Sequence, residues 1–199
     1  MDNQMLSFYR NALLGNISGE PLCQQYKKAW RLCGNDKEML VRLALSQQSI
    51  PYISSACYEK LGVTKAYILS NFAEYINGNK VFHDVEGVDG YTYGLYVGFE
   101  GILETAVDVL SLMWCDSAFV EIEATKCPVF YVSNKSNVHF SMDGYNSVTI
   151  YLFDESHIHI DDCAENSRVT VLKYSDKAVV EQGRFCLGTV KVFDKKLRL

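Results

Sequence analysis

From Phe119 to Asp194 the chain repeats one short phrase about every ten residues, an apolar-alternating run closed by a polar turn. The runs read FVEIEA, VFYVSN, VHFSMD, VTIYLFD, HIHID, RVTVLKY, AVVEQ and TVKVFD. Eight strands on so even a beat make this half of the chain all β, built by repetition. Such units stack in two ways. As antiparallel hairpins they form a meander or sandwich; as successive sides of a coil they form a β-solenoid with about twenty residues per turn. Residues twenty apart match better than residues ten apart. Units starting near 119, 138, 157 and 178 are short with polar outward positions, whereas those near 129, 148, 168 and 189 are longer and apolar on both faces. Hairpins have no reason to alternate in this way, so a solenoid with two sides per turn is expected. No hexapeptide repeat is present, which argues against the left-handed acyltransferase helix.

The 199 residues suffice for one good core or two small ones, and 48% hydrophobic with 22% charged residues is ordinary for a globular protein. No apolar run approaches the ~18 residues of a membrane span. The opening MDNQMLSFYRNALLG is acidic and polar where a signal peptide is basic and then apolar, so the expected location is the cytoplasm or a virion assembled there. The seven cysteines are odd in number, scattered, and form no CxxC or CxH pair, which fits reduced thiols better than a zinc site or a disulfide framework.

The first 78 residues have a helical grammar. Asp2 to Leu14 is amphipathic and stopped by Gly15. Pro21 precedes a segment ending at Gly34, Asn35 and Glu38 form a candidate capping box, and Pro51 opens a helix ending near Gly62. Thr64 caps a last helix, KAYILSNFAEYIN, stopped by Gly78. The expected core face is Leu22, Tyr26, Trp30, Leu40, Leu43, Ile53, Cys57, Ile68, Phe72 and Ile76. Residues 79–106 read as a Gly-rich hairpin-like junction, and 107–199 as the solenoid, with AVDVLSLMW as its first strand. The expected class is thus α+β: a helical domain, a junction and a short β-helix-like domain. Charge divides at the same border. Residues 1–80 hold nine Lys/Arg against six Asp/Glu (net +3), and 81–199 hold ten against eighteen (net −8), a poor surface for nucleic acid or anionic lipid.

Within the longer units, Val148, Ile150 and Leu152 face one way and Tyr151 and Phe153 the other. Tyr131, Tyr151, Leu172 and Phe193 fall at intervals of twenty, twenty-one and twenty-one residues. On a solenoid they line up as an outward stripe, thickened by Phe153 and Tyr174. A stripe this large is expected to be covered, either by the helical domain or by another subunit across a homo-oligomeric interface.

Two other constellations carry chemistry. His157, His159, Asp161 and Asp162 sit on one short unit, with His139 twenty residues before His159. Both histidines point outward between Ile158 and Ile160, and His139 would stack near His159. Adjacent imidazoles suit a divalent metal, and carboxylates could act on a sugar as in β-helical polysaccharide lyases and hydrolases. Polar outward ladders are also normal on any solenoid, so neither catalytic nor metal-ligating residues are assigned, and no cofactor is expected. Separately, residues 49–78 resemble a helix-turn-helix: a helix, a Leu-Gly-Val turn, then a second helix capped at Thr64. Its would-be recognition helix offers Lys65, Ser70 and Asn71 but no arginine, and only Lys60 lies nearby. DNA binding stays an alternative on that ground, as does a carbohydrate-binding or carbohydrate-cleaving surface.

The segments SIPYISSACY, YILSNFAEYING, VEGVDGYTYGLYVG, EATKCPVFYVSNKS, YNSVTIYLFDES and the ending VFDKKLRL resemble a group of small uncharacterised proteins encoded by phages and prophages of gut bacteria. The resemblance runs along the whole chain. It implies a phage-related, structural or accessory role and supplies no catalytic residues. The expectation is therefore a non-catalytic structural or protein-interaction module that assembles through its aromatic face.

Overall fold

The computed structural model describes residues 23–46, 49–55, 64–72, 74, 81–86, 91–105, 107–122, 128–142, 144 and 147–195. Its helices are α1 (Gln24–Cys33), α2 (Lys37–Ala44), α3 (Ser49–Ser55) and α4 (Lys65–Asn71). None is long and apolar enough to cross a membrane. The expected helix from Asp2 to Leu14, and the core positions Leu22, Cys57 and Ile76, lie outside the described residues.

Local chemistry explains the helix ends. Gly34 takes a φ of 56° after α1, a left-handed turn that costs a glycine little. Asp36, not Asn35, caps α2: its Oδ1 accepts from the Met39 amide at 3.0 Å. Helix α3 starts two residues before Pro51, leaving the proline in the first turn, where a missing N–H is harmless. Thr64 caps α4 as expected, accepting from the Tyr67 amide at 3.1 Å. That helix ends at Asn71, as the chain leaves helical geometry at Phe72 (φ −117°, ψ 19°), and positions 73 and 75–77 of the expected helix lie outside the described residues.

The strands are β1 (Val81–Glu86), β2 (Thr92–Val97), β3 (Glu100–Thr105), β4 (Val109–Met113), β5 (Ser117–Ile122), β6 (Val129–Ser133), β7 (Asn137–Met142), β8 (Ser147–Leu152), β9 (His157–Cys163), β10 (Arg168–Lys173), β11 (Val179–Cys186) and β12 (Thr189–Asp194). They sort into two sheets by parity. One runs β1-β2-β4-β6-β8-β10-β12 and the other β11-β9-β7-β5-β3. Every neighbouring pair except β1–β2 is parallel, so the chain climbs as a β-solenoid of about five turns over residues 93–194. Val129 pairs with Thr149, Tyr131 with Tyr151 and Leu172 with Phe193, so residues about twenty apart stack as the repeat requires.

The start of the coil differs from the expected division. Residues 79–106 do contain a hairpin, since β1 pairs antiparallel with β2 through Val81↔Tyr96 and Phe82↔Leu95. But β2 also pairs in parallel with β4, and β3 with β5, so the segment read as a junction supplies the first turn of the solenoid. It escapes the repeat because it is short. Tyr93 pairs with Val109, a step of sixteen residues, whereas Val109 pairs with Val129, a step of twenty. Gly98, at φ 66°, turns the corner between β2 and β3, whereas Gly87 and Gly90, the glycines expected to make the hairpin turn, lie outside the described residues.

Alternation divides the side chains between two cores. Inward residues such as Leu112, Phe130, Phe140, Ile150, Ile160 and Val171 fill the coil and are fully buried. The outer face of the seven-stranded sheet carries a second cluster, in which Tyr93, Met113, Tyr131 and Phe153 meet Trp30, Leu40, Leu45, Ile50, Ile53 and Phe72 from the helical segment. Helix α3 lies against β4 and β6, and Ser54 Oγ meets Ser111 Oγ at 2.6 Å. This two-sided burial is why the longer units read as apolar on both faces.

The corners after β4, β6 and β8 place Trp114, Asn134, Lys135 and Asp154 at positive φ, and buried serines satisfy the turned backbone. Ser136 Oγ accepts from the Cys115 amide one coil below at 3.1 Å. Ser156 Oγ does the same for the Ser136 amide at 3.2 Å. A buried N–H needs a partner, and a hydroxyl stacked once per coil provides one.

Candidate metal centre

The two faces of the coil carry different chemistry. On the helix-bearing face, the expected interface residues do line up. Tyr131 stacks on Tyr151 with centroids 4.7 Å apart, and Phe153 on Tyr174 at 5.1 Å. Burial grades along the stripe. Tyr131 and Phe153 are buried, Tyr151, Leu172 and Tyr174 partly so, and Phe193 is exposed. Helices cover the lower coils, and cover thins toward the C-terminal end. Burial beside Tyr151 and Tyr174 pushes the Tyr131 phenol well above the usual tyrosine range.

The basic residue of the would-be recognition helix makes its contacts within the chain. Lys65 Nζ donates to the Trp114 carbonyl and pairs with Asp116 Oδ2, both at 3.2 Å, and its stem lies over Gly98. This lysine ties α4 to a solenoid corner. Most of the turn preceding α4 lies outside the described residues, Lys60 included.

The outer face of the five-stranded sheet holds the histidines. Parallel register stacks Phe119, His139 and His159 on successive coils. Phe119 and His139 have centroids 4.7 Å apart, and His139 and His159 are 4.3 Å apart and 4° from parallel. His157, two residues along β9, points the same way and its ring centroid lies 4.1 Å from that of His159. The sequence pattern anticipates this cluster. It does not anticipate Glu181, which β11 places directly beside His159. Glu181 Oε2 is 3.0 Å from His159 Nδ1, and its Oε1 is 3.5 Å from His157 Nε2. Continuing the stacking one more coil, from His159 to AVVEQ, points to this strand, and the register of β11 on β9 decides which of its residues stands beside His159.

Asp161 occupies a bulge. In the β7–β9 pairing Phe140 meets Ile160 and Ser141 meets Asp162, so Asp161 is the extra residue. There its Oδ2 reaches His139 Nδ1 at 2.7 Å. Asp162 is exposed and joins neither ligand set. The face thus offers His139, His159 and Asp161, and also His157, His159 and Glu181, each set with its donor atoms within 4.8 Å of one another. Desolvation, followed by the neighbouring His157 and His139, holds the His159 pKa below the usual histidine value and so favours its neutral, lone-pair-bearing form. Neutral imidazole is the form that binds metals.

Comparison with family models, with curated proteins and with solved structures finds no match to this chain.

Proposed function

We propose that this protein is a non-catalytic interaction module whose solenoid associates with a second copy of the chain through the C-terminal end of the coil. One observation carries the reading. Val179, Phe185, Leu187, Val192 and Phe193, all in the last coil, are 42–69% exposed and make up half of the exposed large apolar side chains among the described residues. The two ends of the coil differ in how much apolar surface they expose, not in having edge strands: β1 and β3 are outermost at one end, β11 and β12 at the other. At the N-terminal end β1 turns back antiparallel and covers β2. At the other end β11 and β12 are the outermost strands of their sheets, and no further strand follows them among the described residues. Uncovered edges and apolar ends are what solenoids close with caps or partners.

A second copy suits this end because a twofold axis sets two identical edges antiparallel, satisfying both backbones at once. The aromatic stripe continues onto the same coil at Phe193, so the contact would extend a surface that the helices already cover lower down. On this reading the chain is a phage-encoded assembly or accessory protein, in keeping with the resemblance of its sequence. Sedimentation velocity on the full chain tests it. The expected result is a dimer at micromolar concentration that dissociates in a Leu187→Lys, Phe193→Lys double variant of unchanged circular dichroism. A monomer across that range, or a dimer indifferent to both changes, removes this function.

A further inference from the structure

We propose that His157, His159 and Glu181 form a binding site for one divalent transition-metal ion, with zinc as the representative occupant. The site does not depend on the self-association argued above, but Glu181 shares β11 with Val179 and Phe185 of that surface. Its ligands stand on the outer face of the five-stranded sheet and come from adjacent strands held in parallel register.

Geometry carries the argument. Metal-bound imidazole nitrogen and carboxylate oxygen lie about 2.0–2.2 Å from zinc, so tetrahedral ligand atoms sit about 3.3 Å from each other. Here His159 Nδ1 lies 3.0 Å from Glu181 Oε2 and His157 Nε2 lies 3.5 Å from the other oxygen, Oε1; one donor atom from each residue falls within 4.8 Å of the others, so small side-chain adjustments bring the three onto one ion. His157 supplies a second, separate observation. Its Nε2 is shielded from solvent and accepts or donates no hydrogen bond, and the nearest carboxylate oxygen is Glu181 Oε1, beyond good hydrogen-bonding range. A cation between Nε2 and that carboxylate would give both groups a close partner.

The surroundings fit as well. His157 and His159 are two residues apart on β9, so the pleat fixes them on one side, and stacking on His139 restrains the ring of His159. Asp161 holds His139 at 2.7 Å and so fixes the ring behind the ligand set. Two imidazoles and one carboxylate select borderline metals such as Zn²⁺, Co²⁺ or Ni²⁺ over Mg²⁺ and Ca²⁺, which demand more oxygen donors. Three protein ligands leave a fourth position for water.

The test uses the full chain and the metal ions alone. Calorimetric titration with Zn²⁺ should give one ion per chain, with no binding of Mg²⁺. Co²⁺ should add visible ligand-field absorption of tetrahedral intensity without a thiolate charge-transfer band. His159→Gln and Glu181→Gln should each weaken Zn²⁺ by about 100-fold, and His139→Gln by about tenfold at most, as expected of a group beyond the ligands. Both histidines point outward, so these variants should keep the melting temperature of the metal-free protein. Zn²⁺ affinity unchanged by Glu181→Gln, a thiolate band with Co²⁺, or loss of binding on His139→Gln but not on Glu181→Gln each overturns the assignment.

Discussion

Tyr131 and Tyr151 stand one coil apart with their rings stacked, centroids 4.7 Å from each other and planes 15° from parallel. The pair marks where the helices stop covering the solenoid: Tyr131 is 9% exposed, while Tyr151 is only partly buried. Below it the side chains on that face are buried or partly buried, and above it cover thins through Tyr174 to exposed Phe193, with Phe153 still buried.

Stability should follow that gradient. Phe153 is 4% exposed and packs within the outer cluster, so Phe153→Ala is expected to cost about 3–5 kcal/mol. Phe193, 46% exposed, should cost the monomer under about 1 kcal/mol when changed to alanine. Urea unfolding of the two variants at low protein concentration checks the contrast. Equal losses would mean that cover does not thin along the stripe.

The serine ladder makes a separate prediction. Ser136 Oγ accepts from the Cys115 amide and donates to the Ser133 carbonyl at 2.6 Å, all out of contact with water. Ser136→Ala leaves that amide without its hydroxyl and should cost about 1–3 kcal/mol. Hydrogen exchange should show the Cys115 amide losing protection more than amides at mid-strand. Uniform loss along the coil would point to general loosening instead.

At Gly183 space, not dihedral freedom, sets the requirement. A Cβ there would lie 2.5 Å from the Asp161 carbonyl oxygen and 2.9 Å from its Cα, both backbone atoms that cannot turn aside. Gly183→Ala is therefore expected to destabilise by about 1–3 kcal/mol. Because Asp161 bonds His139, the ring resonances of His139 should shift with it. A thermal midpoint equal to that of the parent protein would show that the bulge yields freely.

Alkaline pH should unfold the protein partly through Tyr131. Burial raises this phenol above its ordinary value of about 10, so the folded state favours the neutral form. The sign follows: this contribution is fully present below the unfolded value and is lost as pH rises through and beyond it. Denaturant midpoints should fall above about pH 10, and Tyr131→Phe should flatten the decline. Absorbance near the tyrosinate band should show one phenol ionising only as the fold is lost. Simple ionisation of every tyrosine in the native state would refute the burial argument.

The β-solenoid was legible because its information is local and repeated. Alternation with a period of two sets each side chain inward or outward, and the twenty-residue recurrence then stacks like on like, as with Tyr131 on Tyr151 and His139 on His159. The caps at Thr64 and Gly34 were readable for the same reason, since a cap depends on a few neighbouring residues. Three features required the tertiary structure. The first turn of the coil steps by sixteen residues, so no periodicity reveals that Tyr93 belongs beside Val109. Glu181 reaches the histidines only because β11 pairs in register with β9, and Asp161 reaches His139 only from a bulge, which shifts register by one. The aromatic stripe was visible as a pattern, but its cover was decided by where α3 docks, on β4 and β6. A sequence specifies that an apolar face must be buried; which surface buries it depends on long-range packing that no short window contains.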